Sequence, residues 1–126
     1  MTPPRGPRIL LAEDEALIAL DLQDILEGAG YTVVGPADRV SSALVLASSE
    51  QFEAAALDVD LAGEKIWPVA EALLMRGIPI VFLSGFSARL DPQPVQAKVL
   101  YIDKPIDPSM LLEALESVIQ APAQRK

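Results

Sequence analysis

The sequence predicts an α/β fold built on a five-stranded parallel sheet. Short apolar runs typical of buried strands alternate along the chain with longer segments whose apolar residues recur at helical spacing. The chain has 126 residues, 51% of them hydrophobic, so it is long enough to form one domain with a substantial core. Strands that alternate with helices lie parallel in a sheet that helices cover on both faces.

The first part of the chain predicts a strand, a helix and a second strand. Residues 8–12 form a short apolar run, which is typical of a buried strand. Residues 15–29 have helical periodicity with acidic side chains opposite the apolar stripe, and nearby glycines end the helix. Residues 31–35 have a β-branched centre, which favours a strand. The predicted apolar stripe of the helix consists of Ile18, Leu22, Ile25 and Ala29.

The middle of the chain predicts a helix, a strand and another helix. Residues 38–51 form the second helix, residues 53–58 the third strand, and residues 67–76 the third helix. Pro68 suits the first turn of that third helix, and Gly77 ends it. The apolar residues of the second helix are Val40, Ala43, Leu44 and Ala47.

The last part predicts two strands and a final helix. Residues 79–83 and 98–102 are predicted to form the fourth and fifth strands. Pro79 does not exclude the fourth strand, because proline is tolerated where a strand starts. Asp107 caps a helix over residues 108–120 that begins with proline. The buried side of this helix is predicted to consist of Leu111, Leu115 and Val118.

These elements favour the flavodoxin-like sheet order 2-1-3-4-5, since crossovers between parallel strands are right-handed. A fourth helix is expected within residues 85–97, and two prolines there allow only a short or irregular one. Proline also marks the ends of the chain. We therefore expect a domain over residues 8–121, with tails at 1–7 and 122–126.

Composition excludes several classes of function. With 18 acidic and 10 basic side chains the net charge is −8, so non-specific nucleic-acid binding is not expected. The chain has no cysteine and no histidine, which excludes disulfides, Cys/His zinc sites, cysteine proteases and histidine-based triads. No apolar run suits a signal peptide or a membrane span. We expect a cytoplasmic protein without membrane contact.

Polar residues follow four of the five predicted strands. Glu13 and Asp14 end the first strand, Asp58 the third, Ser84 the fourth, and Lys104 follows the fifth. The carboxyl ends of parallel strands meet at one edge of the sheet, where ligands of such folds bind. We therefore expect these side chains to converge beside the crevice between the first and third strands.

The expected convergence predicts a Mg²⁺ site for a phosphoryl group. Clustered carboxylates repel one another unless a cation lies between them, and Mg²⁺ prefers oxygen ligands that phosphate oxygens often complete. Asp58 is then the candidate nucleophile, and its attack on phosphorus would give an aspartyl phosphate. Lys104 would supply positive charge to the transferring oxygens and Ser84 a hydroxyl donor.

Over residues 8–120 the chain resembles the receiver domain of two-component response regulators. The resemblance depends on the order of its motifs, which are the acidic pair, the acceptor Asp58, Ser84 and the Lys104-Pro step. The resemblance implies that Glu13, Asp14 and Asp58 bind Mg²⁺ together with the backbone carbonyl of Asp60. It implies a histidine kinase, a phosphotransfer protein or a small acyl phosphate as donor. Receivers often have a switching aromatic three residues before the lysine, which here is Tyr101.

A finer resemblance involves the segment Phe-Leu-Ser-Gly-Phe at residues 82–86. It is similar to the Phe-Ala-Thr-Gly-x-Tyr signature of a receiver subgroup common in alphaproteobacteria, whose members are often stand-alone receivers. The Gly-Glu-Lys sequence at residues 63–65 and the weak fourth helix also resemble that subgroup. The chain departs from the signature at Leu83, Phe86 and Ser87. Phe86 joins Tyr101 as a candidate switch residue.

Phosphorylation would add about −1.5 to −2 charges at neutral pH and attract Lys104 and Ser84. Residues 85–97 would reorder, and a surface near the fifth strand and last helix would bind an effector protein or a second copy of the chain. Without such a partner, the domain would drain phosphoryl groups from a shared kinase. We expect self-phosphorylation and self-dephosphorylation, and no enzymatic turnover.

Two other classes of function remain open from the sequence. Asp58-Val-Asp60 matches the Asp-x-Asp of haloacid-dehalogenase-like Mg²⁺ phosphatases, although there the acidic pair comes last in the chain. A receiver-like module that binds its partner unphosphorylated is the second alternative. Turnover of a phosphate ester would indicate the first, and full output from an Asp58→Ala variant the second.

Overall fold

The computed structural model describes residues 6–85 and 99–124, with side chains described up to residue 120. Five of the strands in these ranges form one parallel sheet, and the other two form a short antiparallel hairpin. Numbered in chain order, the strands are β1 (Arg8–Ala12), β2 (Thr32–Ala37), β3 (Ala54–Asp58), β4 (Asp60–Leu61), β5 (Glu64–Lys65), β6 (Ile80–Ser84) and β7 (Val99–Asp103).

The order of the parallel sheet is β2-β1-β3-β6-β7, which confirms the predicted flavodoxin-like order. The chain reverses its direction of travel across the sheet between β1 and β3, so a crevice opens at their carboxyl ends. Leu57 and Asp58 of β3 lie beside Phe82 and Leu83 of β6. This register brings the last residues of the central strands to one edge.

Helices cover both faces of the sheet. The described helices are α1 (Ala16–Gly28), α2 (Val40–Ser49), α3 (Trp67–Met75) and α4 (Pro108–Gln124). Because successive strand residues point to opposite faces, β1 contributes Leu10 to the core under α2 and α3 and Ile9 and Leu11 to the core under α1 and α4. The central strand β3 is buried along its whole length, as a strand covered on both sides requires.

Two of the predicted buried helix faces are confirmed. In α2, Val40, Ala43 and Ala47 are buried and Leu44 packs against them. The predicted residues of α4 are buried as well, and the Ser109 backbone N–H donates to Asp107 Oδ1 at 3.1 Å. That bond makes Asp107 the N-cap, as predicted.

The buried face of α1 differs from the predicted stripe. Its buried residues are Ala19, Leu22 and Leu26, whereas Ile18 and Ile25 lie at the margin of the core. Ala29 lies beyond the helix and is exposed. The first turns of α1 have apolar residues on most sides, so periodicity alone does not identify the side that meets the sheet.

β4 and β5 form a hairpin in the segment between the predicted third strand and third helix, where the sequence predicts neither a strand nor a helix. Its two-residue turn has positive φ at both positions, 51° at Ala62 and 86° at Gly63. Such turns match the right-handed twist of the flanking strands. Glycine adopts positive φ without strain, but alanine rarely does. The sequence Ala-Gly at this turn therefore does not predict a hairpin.

The last helix continues to Gln124, four residues past the predicted end and through Pro122. Proline removes one backbone donor, and here that loss does not end the helix. The predicted fourth helix within residues 85–97 lies outside the described residues, apart from Gly85. Where the structure describes the chain, no helix combines the length and apolar character that crossing a membrane requires.

Candidate functional site

Three polar or charged side chains are buried among those that the structure describes, and all lie at the carboxyl edge of the sheet. Glu13 follows β1 and is 2% exposed, Asp58 ends β3 at 4%, and Ser84 ends β6 at 0%. Burial of an ionised carboxylate is unfavourable without a compensating charge or hydrogen bonds. Their concentration at one edge therefore marks the functional site.

The acidic side chains predicted to meet do so. Glu13, Asp14 and Asp58 each offer a carboxylate oxygen, and these oxygens lie within 4.8 Å of one another. Glu13 Oε1 is buried and accepts no hydrogen bond from the residues that the structure describes. Asp14 is exposed and opens the cluster to solvent. An all-oxygen donor set that includes one buried carboxylate oxygen without a hydrogen bond fits Mg²⁺, which retains water on its open side.

Lys104 provides positive charge to this cluster. Its Nζ lies 3.0 Å from Asp58 Oδ2 and 3.5 Å from Glu13 Oε1. The Lys104 backbone N–H donates to the carbonyl of Ser84 at 2.8 Å, which ties the loop after β7 to the end of β6. The lysine therefore reaches the cluster from a position that the sheet itself determines.

The electrostatics of Asp58 reflect its burial. Burial, opposed by Lys104 and assisted by the charge of Glu13, raises the pKa of Asp58 to about 6. Burial alone would lower the pKa of Lys104, but Asp58 and Glu13 together raise it above its ordinary value. One ammonium group thus compensates only part of the negative charge, and a divalent cation would relieve the remaining repulsion.

Backbone hydrogen bonds orient both buried carboxylates. Asp58 Oδ1 accepts from the Asp60 N–H at 3.3 Å, and Glu13 Oε2 accepts from the Glu15 N–H at 3.1 Å. The Val59 N–H donates to the carbonyl of Leu83 at 3.0 Å and continues the ladder past the end of β3. Asp58 therefore has one oxygen facing Lys104 and the other facing its own turn.

Asp60 uses its carboxylate elsewhere. Asp60 Oδ1 lies 2.7 Å from the ammonium of Lys65, and the two residues are opposite each other in the β4–β5 hairpin. Sequence reasoning assigned Lys65 only to a family-like segment and missed this ion pair. No local pattern indicates this pair, because the hairpin that places the two residues opposite each other requires positive φ at Ala62, which alanine rarely adopts.

The remaining predicted residues have different positions. Ser84 is buried and its hydroxyl makes no hydrogen bond within the described residues. Tyr101 is half-buried in β7, and its ring stacks on Phe82 with centroids 5.0 Å apart. Phe82 also meets Trp67 edge-on at 5.4 Å and is completely buried in the core. Phe86, the second switch candidate, lies outside the described residues.

Comparisons with known proteins agree with this geometry. No protein-family model matches the chain. It is 34% identical to the transcriptional regulatory protein PdtaR of Mycobacterium tuberculosis over 115 residues, which cover 89% of the chain and 56% of PdtaR. The chain spans about half the length of the curated relatives it matches.

Two solved structures that the chain matches over nearly their whole length are of particular interest. The chain is 39% identical to SdrG of Sphingomonas melonis, with a TM-score of 0.73 and coverage of 90% of this chain and 96% of SdrG. A response regulator receiver protein of Sinorhizobium medicae matches with a TM-score of 0.83 at 25% identity, covering 92% of this chain and 96% of that one.

Proposed function

This chain belongs to the receiver domains of response regulators, and we propose that it accepts a phosphoryl group on Asp58 with the help of Mg²⁺. One observation carries the proposal. The three acidic side chains converge within 4.8 Å while Lys104 Nζ lies 3.0 Å from Asp58 Oδ2. A nucleophilic oxygen, a cation site and a mobile positive charge thus occur together, as phosphoryl transfer requires.

In the proposed reaction, a carboxylate oxygen of Asp58 forms a bond to phosphorus. The bond from phosphorus to the donor breaks, and its electron pair leaves with the donor nitrogen or oxygen. Glu13, Asp14, Asp58 and the carbonyl of Asp60 would hold the Mg²⁺, which when bound neutralises charge on the phosphoryl oxygens. The Asp60 N–H keeps Asp58 Oδ1 oriented before the attack.

The product would redistribute the charges of the site. A phosphoryl group adds about −1.5 to −2 charges, so Lys104 would exchange its contact with Asp58 for the phosphoryl oxygens. The buried Ser84 hydroxyl would then gain the acceptor that it lacks within the described residues. We propose that Tyr101 changes its stacking on Phe82 in response, which transmits the change to β7.

The donor would approach from the exposed side of the cluster at Asp14. There α1 exposes Leu17 and Leu20, which are 81% and 57% accessible. A groove of about 470 Å³ runs between α1 and the loop after β7, with Lys104 in its wall. We propose that a histidine kinase or phosphotransfer protein docks on this surface in the cytoplasm, and that the phosphorylated domain then binds an effector protein.

The finer family resemblance is also a proposal. Phe82 and Gly85 match the segment of the alphaproteobacterial stand-alone subgroup, and Ser84 replaces its threonine. Leu83, Phe86 and Ser87 depart from it. The phosphatase alternative is less favoured, because Asp60 uses its carboxylate to pair with Lys65. In that class the second aspartate would have to be available for proton transfer.

Intact-mass measurement after incubation with acetyl phosphate tests the proposal. We expect a mass gain of one phosphoryl group that requires Mg²⁺ and is absent in Asp58→Ala. Asp38→Asn, which removes an exposed acid at the same edge of the sheet, should behave like the wild type. A wild-type protein that gains no phosphoryl group from acetyl phosphate or from a phosphohistidine protein would overturn the proposal. Sustained turnover of p-nitrophenyl phosphate would instead support the phosphatase.

A further inference from the structure

Lys65 is a charged residue beside the site to which phosphoryl transfer assigns no role. Its ammonium lies 2.7 Å from Asp60 Oδ1, and the hairpin register places the two residues directly opposite each other. Opposed residues on neighbouring strands have Cβ atoms close together, so the hairpin itself favours their contact. Both side chains are about half exposed, and such a pair contributes little to stability.

The hairpin is anchored firmly enough to hold this pair in place. Leu61, between Asp60 and the turn, is completely buried in the core under α2 and α3. The Ile66 N–H donates to the carbonyl of Val59 at 2.9 Å, which closes the base of the hairpin. The position of Lys65 relative to Asp60 is therefore determined by packing and by backbone hydrogen bonds.

Asp60 is the acidic residue nearest in sequence to Asp58 but stands outside the cluster. Within the described residues, the carboxylates that converge within 4.8 Å belong to Glu13, Asp14 and Asp58. The backbone of Asp60 is nevertheless part of the site, since its N–H donates to Asp58 Oδ1. The Asp60 carboxylate is instead paired with Lys65 on the hairpin.

Resting on the proposed function, we infer that Lys65 is a positioning residue that sets the cation specificity of the site. By holding the Asp60 carboxylate away, it limits the site to three carboxylates and leaves room for water. Mg²⁺ keeps several waters in a small octahedral shell, whereas Ca²⁺ takes six to eight oxygens, often from several carboxylates. Without the Lys65 ammonium, the Asp60 side chain would become available as a fourth carboxylate and would favour Ca²⁺.

Calorimetric titration of Mg²⁺ and of Ca²⁺ into the whole chain tests this inference without any phosphoryl donor. In Lys65→Met we expect the ratio of Ca²⁺ affinity to Mg²⁺ affinity to rise about threefold to tenfold. Loss of the lysine charge should strengthen the binding of Mg²⁺ and Ca²⁺ equally, so this electrostatic effect cancels in the ratio of the two affinities. Lys65→Arg, which keeps the ion pair, should retain the wild-type ratio.

The variant Lys65→Met combined with Asp60→Ala separates ligation from damage to the hairpin. It lacks the lysine but has no fourth carboxylate, so its ratio should return to the wild-type value. An unchanged ratio in Lys65→Met, or an equal rise in the double variant, would overturn the inference while leaving the proposed function intact. A wild-type chain that binds no Mg²⁺ would overturn the proposed metal site itself.

Discussion

The two edges of the sheet differ in how their charged side chains are paired. Arginines contact carboxylates and carbonyls at the amino edge, whereas carboxylates cluster together at the carboxyl edge. At the amino edge, Arg8 Nη2 lies 2.8 Å from Glu50 Oε1, and the Arg8 backbone N–H donates to Glu53 Oε1 at 2.6 Å. Arg76 donates to the carbonyls of Ala47 and Glu50 at the end of α2. In the cluster at the carboxyl edge, the carboxylates of Glu13, Asp14 and Asp58 converge, and the ammonium of Lys104 lies within 3.0 Å of Asp58.

This difference separates stability from function. Arg76 donates to carbonyls at the end of α2 and so joins the ends of α2 and α3, while Arg8 of β1 donates to the carbonyl of Gln51 in the segment after α2. The carboxyl edge keeps Asp58 and Glu13 buried although their repulsion is only partly compensated. Such an arrangement costs folding free energy and is expected where a site must bind a cation and a phosphoryl group.

The largest effect is expected from removing the lysine of the carboxyl edge. Lys104→Met should slow phosphoryl uptake from acetyl phosphate by about 10²-fold, because no other described side chain places positive charge on Asp58. Intact-mass time courses measure the rate. Arg76→Met, which removes a comparable charge at the amino edge, should leave the rate unchanged. Equal slowing in both variants would break the distinction between the edges.

The next effect concerns stability without divalent cations. The pKa of Asp58 is raised to about 6 in the folded chain, whereas it is about 4 in the unfolded chain. Ionised Asp58 therefore lowers the free energy of unfolding progressively as pH rises from about 4 through about 6. Asp58→Asn should therefore raise the free energy of unfolding by about 1–2 kcal/mol at pH 8 and change it little at pH 4. Urea unfolding measures both values.

Mg²⁺ provides the control for this stability effect. If Mg²⁺ binds the folded wild type as proposed, raising its concentration should narrow the difference in the free energy of unfolding between Asp58→Asn and the wild type. A variant that is less stable than the wild type at pH 8 without Mg²⁺ would contradict the account, since it would mean that the Asp58 carboxylate stabilises the fold.

A smaller loss of stability is expected from Arg76→Met. The guanidinium donates to two carbonyls near the end of α2, and bonds from charged donors contribute more than neutral ones. The free energy of unfolding should fall by about 1 kcal/mol at every pH between 5 and 8. Urea unfolding measures this loss. If the loss of unfolding free energy changed with pH over this range, a titrating group would have to depend on Arg76, and the simple account of carbonyl bonding would be wrong.

The smallest effect is expected from Glu50→Gln. Its ion pair with Arg8 is partly exposed, and such pairs contribute about 0.5 kcal/mol or less. The loss should diminish further in high salt because screening weakens exposed pairs. A loss above about 2 kcal/mol, measured by urea unfolding in low and high salt, would mean that this edge has its own strongly coupled charge cluster.

Much of the site could be predicted because it depends on strand ends. Parallel topology brings Glu13, Asp58 and Lys104 to one edge whatever the details of packing, and each of these residues adjoins a short apolar run. The sheet order was accessible for the same reason, since alternating strands and helices leave few topologies. These predictions rest on patterns that span the chain.

What sequence reasoning missed depends on contacts between distant segments or on unusual backbone geometry. Arg8 and Arg76 act on α2 from positions 42 and 26 residues away from Glu50, and no local pattern indicates such contacts. The β4–β5 hairpin requires positive φ at Ala62, which alanine rarely adopts. The buried side of α1 was misplaced because Leu17 and Leu20 are apolar yet exposed.

The most direct test of the account is to locate the phosphoryl group within the chain. The protein is incubated with acetyl phosphate and Mg²⁺, trapped with borohydride, which reduces an aspartyl phosphate to homoserine, and analysed by peptide mass spectrometry. The account predicts homoserine at position 58 alone, and none when Mg²⁺ is chelated. Modification at Asp14 or Asp60 in place of Asp58, or modification at Asp58 that is independent of Mg²⁺, would contradict it.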